Sequence, residues 1–166
     1  MKTGAELPGL KLIGWQGIEL HVPVDWNFVM ESGGRDAGLM GFTSPFSKFE
    51  LKWEKPRKKK VFSIDTVAEN FANKLQKADK KLKILKEGDM KAFNHKALFF
   101  NFQTGHEGYG ITWYCDQEEK VFVGLFAFRP DEHEKSKIIL ESLLSSLKCH
   151  PSNNWTPGPS SISPLR

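Results

Sequence analysis

Apolar and polar residues alternate along two stretches of the N-terminal half, 18–22 and 49–53. A period of two is typical of a strand with one buried face and one exposed face. Pro23 and Pro56 follow these stretches, and because proline cannot donate a ladder hydrogen bond, we expect both strands to end there. Between them, two short apolar runs flank the glycine-containing residues 32–36, which predicts a β-hairpin.

The period changes to three and four residues after Asp65, which indicates an amphipathic helix. Its apolar positions are Val67, Ala68, Phe71, Leu75, Ala78, Leu82 and Leu85. Thr66 and Glu69 have the spacing of a capping box, and Gly88 supplies the expected stop. The pattern therefore predicts one helix that runs from about residue 65 to Gly88.

Three further strands are predicted at 90–103, with an interruption near Asn94, at 109–115 and at 120–128. The last is apolar on both faces, so we expect it at the centre of a sheet that is covered on both sides. A second helix is predicted after Pro130, with Asp131 as its cap. Its apolar stripe is formed by Ile138, Ile139, Leu143, Leu144 and Leu147.

These elements predict a single α+β domain over residues 1–150, in which an antiparallel sheet of about six or seven strands lies between two helices on opposite faces. Residues 151–166 are rich in Pro and Ser and too polar to offset their chain entropy, so we expect a flexible tail. The 166-residue chain has no apolar run of membrane-spanning length, and its start lacks the apolar core of a secretory signal. We therefore expect a soluble, cytoplasmic protein.

The first strand runs through Ile18–Pro23 and is followed by Trp26. This strand end and the order of elements over about residues 12–150 resemble the fold shared by PsbP-type proteins, Mog-type Ran-binding factors and related small bacterial domains. The resemblance implies an α/β/α sandwich and a non-enzymatic role in binding or assembly. It carries over no functional residue, because no Ran-contacting residue can be matched.

Catalytic motifs are not expected. His133 and Glu134 begin like the helix of a zinc protease, but Lys137 stands where the second histidine is needed. The loop 105–110 contains three glycines in the wrong order for a nucleotide site, and a strand follows it rather than a helix. We therefore predict that the protein is not an enzyme and has no cofactor.

A zinc site would need several cysteine or histidine ligands. The available groups are His21, His95, His106, His133, His150, Cys115 and Cys149. Only Cys149 and His150 are adjacent, and Cys115 continues the apolar face of its strand, where a thiol behaves as a small hydrophobe. The sequence therefore favours inert cysteines and no metal.

Charge is distributed unevenly along the chain. Residues 48–96 contain 15 Lys and Arg against 7 acids, a net charge of +8, whereas the rest has 9 against 13, a net charge of −4. The residues with which this region could hold a polyanion are Lys55, Arg57, Lys58, Lys59, Lys60, Lys77 and Lys81. Such a surface suits nucleic acid, anionic lipid or an acidic protein face. Few aromatic or Arg side chains accompany the lysines, so a lysine-rich face kept for solubility is the simpler interpretation.

Two tryptophans fall at predicted strand ends. Trp15 and Trp26 lie beside glycine or proline, and we expect them to face solvent in part. Together with His21 they form one predicted contact surface for an unknown protein partner, and the basic loop at residues 55–60 is the other. The sequence thus favours a partner-binding or assembly module, with polyanion attachment as the alternative. Trp53 and Trp113 are expected in the core.

Overall fold

The computed structural model describes residues 9–56, 63–92 and 95–149, with backbone alone for 90–92. The first two strands, β1 (Leu10–Trp15) and β2 (Ile18–Pro23), pair as a separate hairpin. Gln16 and Gly17 join them with φ angles of 53° and 84°, the left-handed pair that matches the twist of a two-residue hairpin. The predicted strand at 18–22 is confirmed, but it belongs to this small sheet.

The main sheet has seven antiparallel strands in the order β3-β4-β5-β9-β8-β7-β6. Their bounds are β3 Asn27–Gly33, β4 Ala37–Ser44, β5 Ser47–Glu54, β6 Lys83–Ala92, β7 His95–Gln103, β8 Glu107–Cys115 and β9 Lys120–Phe128. The predicted strand number is confirmed. The apolar strand β9 lies fourth of the seven, so its predicted central position is also confirmed.

Two helices lie on opposite faces of this sheet, as predicted. Helix α1 spans Ile64–Ala78 and contacts β7 and β8, whereas α2 spans His133–Ser146 and contacts β2 and β9. Alternate residues of β9 therefore meet different neighbours. The buried residues Phe122, Phe126 and Phe128 face α2, and the half-buried residues between them face α1.

The α2 face holds the larger core. Helix α2 and the β1–β2 hairpin both cover it, and the aromatic side chains between them are almost completely buried. Trp113 stacks on Phe122 with ring centroids 4.8 Å apart, and Trp53 donates its indole N–H to the carbonyl of Gly34 at 2.9 Å. Trp53 and Trp113 are 1% and 0% exposed, which confirms their predicted place in the core.

The α1 face holds a smaller cluster. Phe71 of α1 meets Phe100 of β7 edge-on, with ring centroids 5.4 Å apart, and Ala72 is buried beside it. A Cβ at Gly110 would lie only 2.3 Å from the ring of Phe100. The bare backbone of β8 therefore provides the space that these rings occupy beneath α1.

The predicted extension of the first helix to Gly88 is wrong. The helix ends at Ala78, where the backbone N–H of Asp79 closes the last turn onto Leu75 at 2.9 Å. Leu82 packs into the α1-face cluster, and Gly88 pairs with Phe99 inside β6. Pairing with β7 over Lys83–Ala92, with a bulge at Leu85, supplies backbone hydrogen bonds that outweigh the helical spacing of the leucines.

Both predicted helix caps are also wrong. Ser63 occupies the N-cap of α1, in place of the predicted box of Thr66 and Glu69, and it makes no side-chain capping bond. A 3-10 turn, Pro130–Glu132, precedes α2 and makes Glu132 the N-cap. Asp131 instead accepts a hydrogen bond from Arg129 Nε at 3.0 Å.

Candidate functional site

An open groove of about 770 Å³ lies on the α1 face of the sheet. Helix α1 forms one wall and the outward side chains of β5 form the other. The floor consists of Leu39, Val121, Val123 and Leu125. The groove exists because α1 packs over β7 and β8 and leaves the other half of this apolar face without a helix among the described residues.

Charged side chains border this apolar floor. Lys52 of β5 and Lys74 of α1 are exposed at opposite walls. Glu50, also at the groove, lies 3.9 Å from Lys48 and is thus partly neutralised. Glu54 is the second acid of the β5 wall, so the lysines of that wall are balanced by glutamates. The excess of positive charge lies in the sequence that follows β5, where residues 55–60 contain five Lys and Arg and no acid.

The three residues of the predicted partner surface do not form one patch. Trp15 lies at the closed end of the β1–β2 hairpin, where its ring meets Trp53 edge-on at 5.5 Å. Trp26 follows the open end of the same hairpin. His21 lies between them, and its backbone N–H donates to the hydroxyl of Ser146 at 3.0 Å. Trp15 and His21 are half-buried.

Trp26 is 1% exposed, so the expectation that its side chain partly faces solvent is wrong. Its ring stacks on Phe126 at 6.0 Å and lies near Phe42. Its carbonyl accepts a hydrogen bond from Lys11 Nζ at 2.7 Å. The strand end therefore directs this tryptophan into the core beneath the hairpin.

The predicted polyanion surface is only partly described. Lys55, Lys77 and Lys81 are all exposed. Lys77 belongs to α1, whereas Lys81 follows the helix, and its backbone N–H donates to Asp79 at 3.0 Å. Arg57, Lys58, Lys59 and Lys60 lie outside the described residues.

A second pocket, of about 210 Å³, lies beneath α2. It is lined by aromatic rings of the sheet and leucines of the helix, with Lys137 and Glu141 at its edge. This pocket is smaller than the groove and lies on the opposite face.

Three side chains of types that can ligate a metal meet at one end of the sheet. His95 begins β7, Cys115 ends β8, and Cys149 follows α2. Their ligand atoms all lie within 4.8 Å of one another, and Cys149 Sγ is 3.3 Å from His95 Nε2. The other ring nitrogen, His95 Nδ1, is 3.8 Å from a carboxylate oxygen of Asp116.

This cluster is buried. Cys115 is 0% exposed, Cys149 is 2% exposed, and the side chain of His95 is 8% exposed. A hydrogen bond with Cys115 raises the pKa of the Cys149 thiol above its usual range, and burial adds to this effect. Burial favours the neutral thiol because the thiolate charge is poorly solvated in the core.

A buried lysine lies close to this end of the sheet. Lys120 is 2% exposed, and its Nζ is 3.7 Å from Glu118, which also binds Arg35 at 3.1 Å. Burial lowers the pKa of Lys120, and the charge of Glu118 opposes that shift. Glu118 is therefore the counter-charge that both cations share.

The groove residues and the cysteine cluster were not predicted from the sequence. Lys52 alternates with core residues of β5, but its position at a groove depends on how much of the sheet α1 covers. Ala97 of β7 pairs with Trp113 of β8, and in an antiparallel pair the same register places His95 opposite Cys115 two residues further on. The spacing of residues along the sequence does not determine this register. The backbone bridge between Glu19 and Lys148 then places Cys149 beside them.

Comparison with known proteins supports the fold. No protein-family model and no curated protein matches the chain. The solution structure of cyanobacterial PsbP (CyanoP) from Synechocystis sp. PCC 6803 superposes with a TM-score of 0.64 at 12% identity, over 89% of this chain and 96% of that one. The crystal structure of LpqN, involved in cell envelope biogenesis of Mycobacterium tuberculosis, gives a TM-score of 0.51 at 14% identity, over 79% and 82%.

The chain thus has the PsbP-like α+β fold that its sequence resembles. At these identities the likeness shows the fold alone. In the described part of the chain, neither helix combines the length and the apolar character that crossing a membrane requires.

Proposed function

We propose that this protein is a non-catalytic module that docks a segment of a protein partner in the groove of the α1 face. The observation that carries the proposal is the open apolar floor between α1 and β5. An apolar concavity bordered by polar groups is the usual form of a recognition site. Trp15 and His21 on the β1–β2 hairpin are half-buried, and the buried Trp26 offers a partner no contact, so the groove replaces the predicted surface.

The occupant that fits is an acidic segment with large apolar side chains. Val123 and Leu125 would receive the apolar residues, because their half-buried side chains gain from further removal of water. Lys52 and Lys74 would face the acidic residues, and the net charge of +8 over residues 48–96 favours approach of a negative partner.

The proposal is tested by selecting binders from a displayed library of random peptides on the intact chain. We expect the selected peptides to combine Asp or Glu with large apolar residues. The double variant Lys52→Glu/Lys74→Glu should weaken their binding by roughly tenfold or more, because it reverses two rim charges. Affinity is measured by fluorescence anisotropy of labelled peptides.

The matched control is Lys80→Glu/Lys83→Glu, which changes the net charge equally at exposed positions outside the groove lining. It should leave peptide affinity within about twofold, since distant surface charges are largely screened. Equal loss in both variants, or none in the groove variant, would overturn the proposal. A further variant replaces residues 57–62 with a Gly–Ser linker. If peptides bind only to this variant, the chain's own segment competes for the groove, and the proposal of a separate partner would also be overturned.

Polyanion attachment is the second candidate, and the exposed side chains of Lys55, Lys77 and Lys81 favour it. A polyanion site predicts retention on heparin with a steep dependence on salt. The triple variant Lys58→Glu/Lys59→Glu/Lys60→Glu should abolish that retention. Weak retention with a shallow salt dependence, unchanged in the triple variant, would exclude this candidate.

A further inference from the structure

The cluster of His95, Cys115 and Cys149 has the composition of a zinc site. Two thiols and one imidazole form a soft donor set that suits Zn²⁺. They come from three separate elements, and neither cysteine is in a disulfide. The cluster lies on the α2 face, away from the groove, so this inference does not depend on the proposed docking function.

The distances between the donor atoms are close to those of a metal centre. In a tetrahedral zinc site with ordinary Zn–S and Zn–N bonds, neighbouring donor atoms lie about 3.5–3.8 Å apart. Here Cys149 Sγ and His95 Nε2 are 3.3 Å apart, and no pair of donor atoms exceeds 4.8 Å. Small side-chain movements would therefore bring all three donors to bonding distance of one ion.

The surroundings of the histidine support the same assignment. His95 directs Nε2 toward the cysteine and Nδ1 toward Asp116, whose carboxylate oxygen is 3.8 Å away. Zinc-bound histidines commonly donate their second ring N–H to a carboxylate, which fixes the ring orientation and makes the bound nitrogen more basic. Asp116 is mostly exposed, whereas the three donors are buried, so it is placed to act from outside the site.

We propose that His95, Cys115 and Cys149 bind one Zn²⁺ ion, with Asp116 as a positioning residue for His95. Binding forms two Zn–S bonds and one Zn–N bond, and the two thiol protons pass to solvent. No oxidant or reductant is required. The three protein donors leave the fourth tetrahedral position for water or another donor.

The test uses the full chain under reducing conditions, with Zn²⁺ and Co²⁺ alone as probes. We expect one Zn²⁺ per chain by competition with a chromophoric chelator. Co²⁺ should give visible d–d bands of a tetrahedral site and a sulfur-to-metal charge-transfer band. Cys115→Ser and Cys149→Ser should each lose the charge-transfer intensity of one thiolate and bind Zn²⁺ much more weakly.

Because a cysteine variant can fail to fold, Asp116→Asn provides a second measurement at an exposed position. It should weaken Zn²⁺ binding by about 10–100-fold while the charge-transfer band of the Co²⁺ form is retained. The control His106→Gln changes an exposed histidine outside the cluster and should bind Zn²⁺ like the unaltered chain. A Co²⁺ form without thiolate bands, Zn²⁺ affinity equal in all variants, or a Cys115–Cys149 disulfide that persists under reduction would overturn the proposal.

Discussion

The two faces of the main sheet are built from the same strands but differ in how far they are covered. On the α2 face, a helix and the β1–β2 hairpin together bury the aromatic rings of β5, β8 and β9. On the α1 face, one helix covers β7 and β8, and the floor at Val121, Val123 and Leu125 remains open. Most of the buried aromatic side chains therefore lie on one face, whereas the other face keeps apolar side chains within reach of solvent, which the docking proposal requires.

Two neighbouring residues of β9 face opposite sides of the sheet and should differ most in their effect on stability. Phe122 is 0% exposed and lies between Trp113 and Trp53, whereas Val123 is half-buried at the groove. Phe122→Ala should lower the free energy of unfolding by roughly 3–5 kcal/mol, because it removes a large buried side chain and leaves a cavity.

Val123→Ala should lower the same free energy by only about 1 kcal/mol, because it removes little area from a side chain that water already reaches. Urea denaturation of both variants measures the difference. Similar losses at the two positions would mean that the α1 face is as well covered as the α2 face, which would also remove the basis of the docking proposal.

Charged side chains also differ in burial between the two faces. Lys120 is a lysine of β9 on the covered face, and Glu118 lies beside its buried ammonium group. Glu118→Gln should cost about 2 kcal/mol in unfolding free energy, since it leaves that charge without its nearest opposite charge.

The matched change on the open face is Glu50→Gln, which removes the partner of the exposed Lys48. Exposed ion pairs contribute little, so this variant should stay within roughly 0.5 kcal/mol of the unaltered chain. Both values come from urea denaturation at neutral pH. If Glu50→Gln costs as much as Glu118→Gln, the contrast in burial between the faces has no electrostatic consequence.

The central position of β9 could be predicted from the sequence, because its residues are apolar on both faces of the strand. The end of α1 could not be predicted. Leu82 and Leu85 continue the helical spacing, and only pairing with β7 decides that they belong in or beside a strand. The spacing of apolar residues favours a longer helix at this point, whereas hydrogen bonding to β7 favours a strand, and the strand is what forms.

The sites were harder to predict because each depends on contacts between distant segments. Sequence spacing separates Cys149 from His95 and Cys115, and the bridge of Lys148 to Glu19 is what brings it near. The position of Trp26 after a strand end predicts partial exposure, but its ring is buried against Phe126 in the core. The groove depends on the position of α1, which is set by the close approach of Phe71 and Phe100 over Gly110.

A hydrogen bond to the turn between β7 and β8 helps to hold the end of α1 on the open face. Asp79 follows the helix, and its carboxylate accepts hydrogen bonds from the hydroxyl of Thr104, in the β7–β8 turn, and from the backbone N–H of Lys81. The Thr104 bond is the main cause that lowers the pKa of Asp79 below its ordinary value of 3.8, and the Lys81 N–H adds to it. Because the folded pKa is lowered, this carboxylate stabilises the fold above its ordinary pKa, and that contribution is lost as the pH falls through the folded pKa.

Thr104→Val should therefore raise the pKa of Asp79 in an NMR titration of the carboxyl carbons and flatten the loss of stability in acid. Asp131, whose pKa is lowered by its hydrogen bond with Arg129, is the internal control and should titrate unchanged. An unmoved pKa of Asp79 would show that the turn does not hold the end of α1, so that the helix keeps its place through the apolar contacts of Phe71, Ala72 and Leu75.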